Sequence, residues 1–164
     1  MEPGGFGLTG ADALKDADPD GDGAKNLLEF ATNSDPTSGS SGPRTYPAMV
    51  TIGGDKVLTY TIAVRKGDES AFVSPAAPNA AKKTATRDNV KYTVEASDNL
   101  GVWNTEVVTE VTDVGEISDV HGALGDKLTA PAIGTAWEWK TFRTDDGAVA
   151  DPSDFIRLNV EEVP

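Results

Sequence analysis

From residue 48 onward, apolar and polar residues alternate with a period of two, which is typical of β-strands with one buried face. The alternation is clearest over residues 56–64, where Leu58, Tyr60, Ile62 and Val64 share one face and threonines occupy the other. The pattern predicts strands at 48–52, 56–64, 90–97, around 107–111, at 136–144 and at 155–160. Two shorter strands are predicted near Ile117 and Leu128.

Turns rich in Gly, Asp and Asn separate these strands, and residues 65–89 have the polar, Ala/Pro/Lys-rich composition of a long loop. Six or more strands without intervening helices indicate a mostly β fold. We therefore expect an antiparallel β-sandwich, Ig-like or jelly-roll-like, preceded by a short loop–helix motif.

The N-terminal part of the chain follows a different pattern. Leu27, Leu28, Phe30 and Ala31 recur at near-helical spacing, and the Asp35–Pro36 step ends any helix. Residues 38–47 are rich in Ser, Gly and Pro and predict a linker. We accordingly divide the sequence into a loop–helix segment at 1–37, a linker at 38–47 and a β-sandwich domain at 48–164.

Charge and composition exclude several classes of partner and site. Fourteen Lys and Arg against 27 Asp and Glu give a net charge of −13, which disfavours nucleic acid and anionic membrane surfaces as partners. No apolar run approaches membrane-spanning length, so membrane insertion is not expected. The absence of cysteine excludes disulfides and Cys-based zinc sites. Residues 1–8 lack the basic-then-apolar order of a signal peptide, so an export signal is expected upstream in a longer parent protein.

A cluster of acidic residues at 18–29 has the spacing of a calcium-binding loop. Asp18, Asp20 and Asp22 alternate, Gly23 follows at the point of a sharp turn, and Glu29 comes six residues after that glycine. This is the D-x-D-x-D-G-x₅-E pattern, which aims several carboxylates at one centre. Ca²⁺ is a hard cation that takes about six to eight oxygen ligands at flexible angles.

The pattern predicts a Ca²⁺ site with six ligands, namely the side chains of Asp18, Asp20, Asp22, Asn26 and Glu29 and the backbone carbonyl of Ala24. Asn26 binds either directly or through a water, and Mg²⁺ is disfavoured because it demands strict octahedral geometry. The alternative is a solvated acidic turn that binds no ion tightly. Lys25 and the lack of a second such loop favour a solitary structural site over a paired sensor.

The segment from Ala17 to Ala31, followed by Ser34-Asp-Pro, resembles the short calcium motif of dockerin-type and bacterial thrombospondin type 3 repeats. The stretch from Tyr92 to Trp103 and the ending 155–160 are similar to C-terminal β domains that follow such motifs in secreted bacterial proteins. The resemblance implies the same five side-chain ligands and a secreted or cell-surface location. It implies no enzymatic activity, and a full dockerin carries two loops where this chain has one.

Two neighbouring tryptophans suggest a second hypothesis. Trp137 and Trp139 project from one face of a predicted strand, and an exposed pair would stack on sugar rings as in a carbohydrate-binding module. The alternative, which we favour, is that they lie in the core or cover a sheet edge. Trp103 is expected to plug the sandwich.

Other candidate chemistry is sparse. His121 is the single histidine, in a predicted turn, and there is neither a cysteine nor a Gly-x-Ser-x-Gly elbow. Solvated side chains are expected for the acidic residues flanking the loop (Asp12, Asp16 and Asp35) and for those of a later acidic loop (Asp145, Asp146, Asp151 and Asp154). The sequence therefore predicts no enzyme.

The leading functional prediction is a non-catalytic, calcium-stabilised accessory module of a larger exported bacterial protein, with a structural or interaction role. Its expected partners are calcium and either a polysaccharide or another domain of the parent protein. A carbohydrate-binding module and an adhesion or partner-docking domain are the alternatives.

Overall fold

The computed structural model describes residues 7–68, 70–144 and 154–164. Within these ranges the strands are β1 (Thr45–Ile52), β2 (Asp55–Arg65), β3 (Lys83–Arg87), β4 (Val90–Ser97), β5 (Val108–Glu110), β6 (Trp137–Thr144) and β7 (Phe155–Glu162). The helices are α1 (Asn26–Thr32) and α2 (Val114–Leu124), with single 3₁₀ turns at Gly10–Ala13 and Gly125–Leu128.

The strands form two antiparallel sheets. The first has the order β1-β2-β6-β5 and the second the order β3-β4-β7. Tyr60, Ile62 and Phe142 of the first sheet share a buried core with Tyr92 and Val94 of the second. The mostly β class is thereby confirmed, and the two packed sheets are compatible with the predicted sandwich.

Strand β2 is buried on both faces, which explains its central position in the first sheet. Ile62 and Val64 are fully buried in the core between the sheets, while Thr59 and Thr61 are fully buried on the opposite face. The two threonines satisfy their hydroxyls there: Thr59 Oγ1 donates to the Ala48 carbonyl at 2.9 Å, and the Thr61 hydroxyl lies 3.0 Å from that of Thr141. The opposite face is therefore covered by protein.

Helix α2 provides that cover, and the prediction of strands near Ile117 and Leu128 was wrong. Asp113 caps the helix by accepting hydrogen bonds from the backbone N–H groups of the second and third helical residues. Val120, Leu124 and Leu128, spaced four apart, pack with Val50 of β1 in a second apolar cluster. Two glycines and several β-branched residues in this stretch concealed its helical period.

Strand β3 lies within residues 65–89, where a continuous loop was predicted. Its threonine- and alanine-rich sequence gives little apolar alternation, yet Ala85 and Arg87 are buried against the core. Val73 extends this edge through a bridge to Thr84. Strand β1 also begins earlier than expected, at Thr45, so it includes the last three residues of the predicted linker.

Candidate metal site

Residues 18–24 form a tight loop that the aspartate side chains hold together. Asp18 accepts hydrogen bonds from the backbone N–H groups of Gly21 (2.9 Å) and Gly23 (3.0 Å). Asp22 accepts from the N–H of Ala24 at 2.7 Å. Both glycines have positive φ, +75° and +93°, a conformation that side chains disfavour. The sequence therefore curls here as the glycine positions predict.

The curl brings three carboxylates together. One ligand oxygen from each of Asp18, Asp20 and Asp22 lies within 4.8 Å of the others. Like charges this close repel unless a cation or proton offsets them. The structure thus assembles a group able to hold a metal from three of the predicted ligands.

Glu29 and Asn26, both on α1, are buried with oxygens that lack partners, and Glu29 lies outside the group of three carboxylates gathered within 4.8 Å. Glu29 has no exposed surface, and neither of its carboxylate oxygens has a hydrogen-bond partner among the residues that the structure describes. The same holds for Asn26 Oδ1, in a residue only 2% exposed, and for Asp20 Oδ2. Each unsatisfied buried polar group costs about 1–3 kcal/mol, and a charged one costs more.

The pKa of Glu29 reflects its burial and the nearby negative charges. Burial, followed by the charges of Asp20 and Asp22, raises the pKa of Glu29 from 4.5 to about 7. A carboxyl group in this setting is poorly suited to carry its charge at neutral pH without a compensating cation.

The donor set fits a hard divalent cation. Every candidate ligand offers oxygen, from carboxylates or a carboxamide, which suits Ca²⁺ better than metals that prefer nitrogen or sulfur. Ala24 lies at the end of the loop, is 7% exposed and donates its N–H to Asp22. The Asp and Glu side chains alone would bring a charge of −4 to balance the ion.

The C-terminal end of α1 is anchored to both sheets. The Tyr92 hydroxyl, from β4, donates to the Ala31 carbonyl at 2.9 Å. The Trp137 indole N–H, from β6, lies 3.1 Å from the Phe30 carbonyl and 3.2 Å from that of Ala31. These side chains satisfy helix-end carbonyls that lack partners within the helix. Sequence reasoning missed Tyr92, because nothing in the local pattern marks a tyrosine that caps a distant helix.

Arg65 completes this anchor. Its guanidinium lies 4.5 Å from the centre of the Phe30 ring and 4.4 Å from that of Trp137, and it pairs with Asp88. The helix that carries Asn26 and Glu29 is thus clamped by cation–π contacts as well as hydrogen bonds.

The tryptophans of the carbohydrate hypothesis occupy different surroundings, and both are half-buried. Trp137 contacts α1 as described above. Trp139 packs against Tyr46, with ring centres 5.8 Å apart, at the edge of the second apolar cluster. Trp103 stacks beneath Arg157 at 3.8 Å. These contacts give the rings structural roles, and binding of sugars by Trp137 and Trp139 stays a prediction.

Three of the remaining acidic candidates have local protein partners for their side chains. Asp16 pairs with Lys25 at 3.3 Å, Asp35 accepts hydrogen bonds from Thr37, and Asp154 accepts one from Thr144. The other members of the later acidic loop, Asp145, Asp146 and Asp151, lie outside the described residues. His121 is half-buried on α2, where burial lowers its pKa.

No described helix combines the length and apolar character needed to cross a membrane; the longest, α2, has 11 residues. The sequence matches no protein-family model, and comparison with curated proteins and with solved structures gives no significant match. Interpretation of the site therefore depends on its own residues.

Proposed function

We propose that residues 18–29 bind one Ca²⁺ ion, and that the ion stabilises the chain as a non-catalytic module of a larger exported bacterial protein. The observation that carries the proposal is Glu29, a fully buried carboxylate whose oxygens make no hydrogen bond of normal distance and geometry among the described residues. The neighbouring Ser34 hydroxyl offsets only part of the rise in the pKa of Glu29. Glu29 lies close enough to Asp20 and Asp22 for their charges to raise its pKa.

A solvated acidic turn accounts poorly for this arrangement. Exposed carboxylates satisfy their oxygens with water, whereas Glu29 is wholly inaccessible and Asn26 is 2% exposed. Buried charges in proteins are normally paired or bound to a metal. The five side chains of the sequence pattern therefore support an ion site more strongly than the acidic cluster alone does.

The proposed ligands are the side chains of Asp18, Asp20, Asp22, Asn26 and Glu29, with the Ala24 carbonyl as the sixth. Bound Ca²⁺ supplies positive charge that offsets their repulsion and replaces the missing hydrogen-bond partners. Since the unfolded chain has no preformed site, the binding free energy adds to the free energy of unfolding.

The described contacts carry this stabilisation into the β domain. Glu29 lies within α1, whose last turn is held by Tyr92 and Trp137 from the two sheets. An ion that bridges the loop to α1 therefore ties residues 18–25 to the core. Such a cross-link suits a chain without disulfides, and we place the module outside the cell, where calcium is abundant.

The test is calcium titration of the full chain by isothermal calorimetry, together with thermal unfolding in calcium and in chelator. We expect one site per chain and a stabilisation of about 2.7 kcal/mol at a calcium concentration one hundred times the dissociation constant. Glu29→Gln keeps the shape of the side chain but removes the charge and one acceptor, so it should weaken binding at least tenfold.

Asp16→Asn is the matched control, because it removes an exposed carboxylate close in sequence that is paired with Lys25. Its calcium affinity should equal that of the wild type. Identical unfolding midpoints in calcium and in chelator would defeat the proposal.

A further inference from the structure

The carboxamide of Asn26 makes contacts on one side only. Its Nδ2 group donates to the backbone carbonyls of Asp12 at 2.6 Å and Leu14 at 2.7 Å. Its Oδ1 atom is buried and has no partner among the described residues. Both hydrogens of the amide are thus used, while the oxygen remains available to a ligand.

The chain that enters the loop has few other anchors. We call residues 10–17 the entry segment. Its 3₁₀ turn buries no residue, and Leu14 is 63% exposed. Near the loop, backbone hydrogen bonds join Asn26 to Ala17 at 2.9 Å and Leu27 to Lys15 at 3.0 Å. The Lys15–Glu162 ion pair is partly exposed and should contribute little.

From this arrangement we infer that calcium orders the entry segment through Asn26, which acts as a positioning residue as well as a ligand. The inference rests on the proposed calcium site. An ion bound to Oδ1 fixes the plane of the carboxamide, and the two N–H bonds then hold the carbonyls of residues 12 and 14. The direction in which the preceding chain leaves the module thereby depends on calcium.

The identity of the side chain supports this role. An aspartate at position 26 would offer the ion an oxygen of higher charge, as good a ligand as asparagine or better. It would, however, turn a carboxylate oxygen toward two carbonyl oxygens with no hydrogen between them. Asparagine can offer an oxygen to the ion and donate N–H hydrogen bonds to the entry segment at the same time.

The experiment is hydrogen–deuterium exchange of the full chain in calcium chloride and in chelator, for wild type, Asn26→Asp and Asp16→Asn. In the wild type, calcium should slow exchange across residues 10–17 by about tenfold or more, because it fixes the carboxamide that makes two hydrogen bonds to this segment. Asn26→Asp should bind calcium within tenfold of wild type by calorimetry yet lose this protection. Asp16→Asn, in the same segment but without contact to the carboxamide, should keep it.

The outcomes distinguish a failure of the role of Asn26 from a failure of the calcium site itself. Wild-type protein that binds calcium without slowing exchange at 10–17 would overturn the inference and leave the calcium site intact. Retained protection in Asn26→Asp would overturn it equally. Wild-type protein that binds no calcium would remove the proposed function itself.

A second measurement needs no substitution, in case Asn26→Asp folds or binds poorly. In ¹⁵N-labelled wild type, the Asn26 side-chain amide protons should show contacts to residues 12 and 14 and should exchange slowly only when calcium is present. Amide protons that behave identically in calcium and in chelator would contradict the inference, since a purely structural hydrogen bond needs no metal.

Discussion

At the scale of single residues, Glu29 is the proposed ligand whose effect on stability depends most on the ion. It is the most distant ligand of the loop pattern, and α1 buries it completely. A carboxylate of this kind is unfavourable in the protein alone and favourable only with a cation. Its energetic effect should therefore change sign between calcium-free and calcium-loaded protein.

The pKa of Glu29 gives a pH test of this reversal. In the folded protein the pKa rises from 4.5 to about 7, because of burial and then the charges of Asp20 and Asp22. The folded state thus holds the proton more tightly than the unfolded state. In calcium-free buffer, this contribution to stability is fully present below pH 4.5 and is lost as pH rises through 7. The loss should be on the order of 3 kcal/mol.

Urea unfolding at pH 5 and pH 7.5, in buffer stripped of calcium, measures the difference. Glu29→Gln should lack this component, so the two pH profiles should diverge above pH 5, and added calcium should restore wild-type stability at pH 7.5. Parallel profiles for the two proteins would show that Glu29 does not titrate as its surroundings require.

At the scale of elements, α1 is too short to be stable by itself. It has seven residues, and its N-cap residue, Lys25, makes no side-chain capping bond. Its stability comes from Leu27 and Ala31 in the main core and from the contacts of Tyr92 and Trp137 with its last carbonyls. The helix that presents two proposed ligands is therefore positioned by the sheets.

This dependence predicts that Trp137→Phe weakens calcium binding, although Trp137 is not a proposed ligand. The phenylalanine keeps an aromatic ring near Arg65 but removes the N–H that bonds the Phe30 and Ala31 carbonyls. We expect a loss of stability of about 1 kcal/mol and a several-fold weaker calcium affinity.

Trp139→Phe is the matched control, with the same exchange two residues along β6. Its ring packs on Tyr46, away from α1, so it should lower stability without changing calcium affinity. Calorimetric titration of both variants measures whether calcium affinity depends on the contacts of Trp137 with α1. Equal affinities for Trp137→Phe and wild type would contradict coupling through the helix end.

At the scale of the whole molecule, the two sheets and helix α2 form three stacked layers. The second sheet packs on the first, and α2 covers the first sheet on its other side. Because α1 contributes to the core between the sheets, the loop and the β domain do not have separate cores. Cooperative unfolding of the whole chain follows from this sharing.

We therefore predict a single unfolding transition, whose midpoint rises with calcium. Far-ultraviolet circular dichroism reports the backbone, and fluorescence of the Trp103→Phe, Trp139→Phe double variant reports Trp137 beside α1; the two should give coincident midpoints in chelator and in calcium. An early transition in fluorescence alone, present only in chelator, would mean that α1 detaches from an intact β domain.

Local sequence patterns were enough to locate the candidate site and to predict the class of fold. Asp18, Asp20 and Asp22 alternate around glycines, and this local chemistry is enough to curl a loop and gather three carboxylates. Period-two alternation likewise placed β2, β4 and β7, since each has a regular apolar face toward the core, and it placed β6 through its alternating tryptophans, although Phe142 on the other face is the β6 residue in the core. Both features depend on residues close together in the chain.

The elements that surround the loop and these strands became evident only from the folded chain. Helix α2 forms where two strands were predicted. Its apolar residues are stabilised by packing on the first sheet, and the local sequence pattern does not reveal that contact. Strand β3 exists because β4 supplies its hydrogen-bond partners. The burial of Glu29 and the anchoring of α1 by Tyr92 and Trp137 join residues far apart in the chain. Burial and long-range hydrogen bonding are properties of the folded assembly, so local periodicity carries no signal for them.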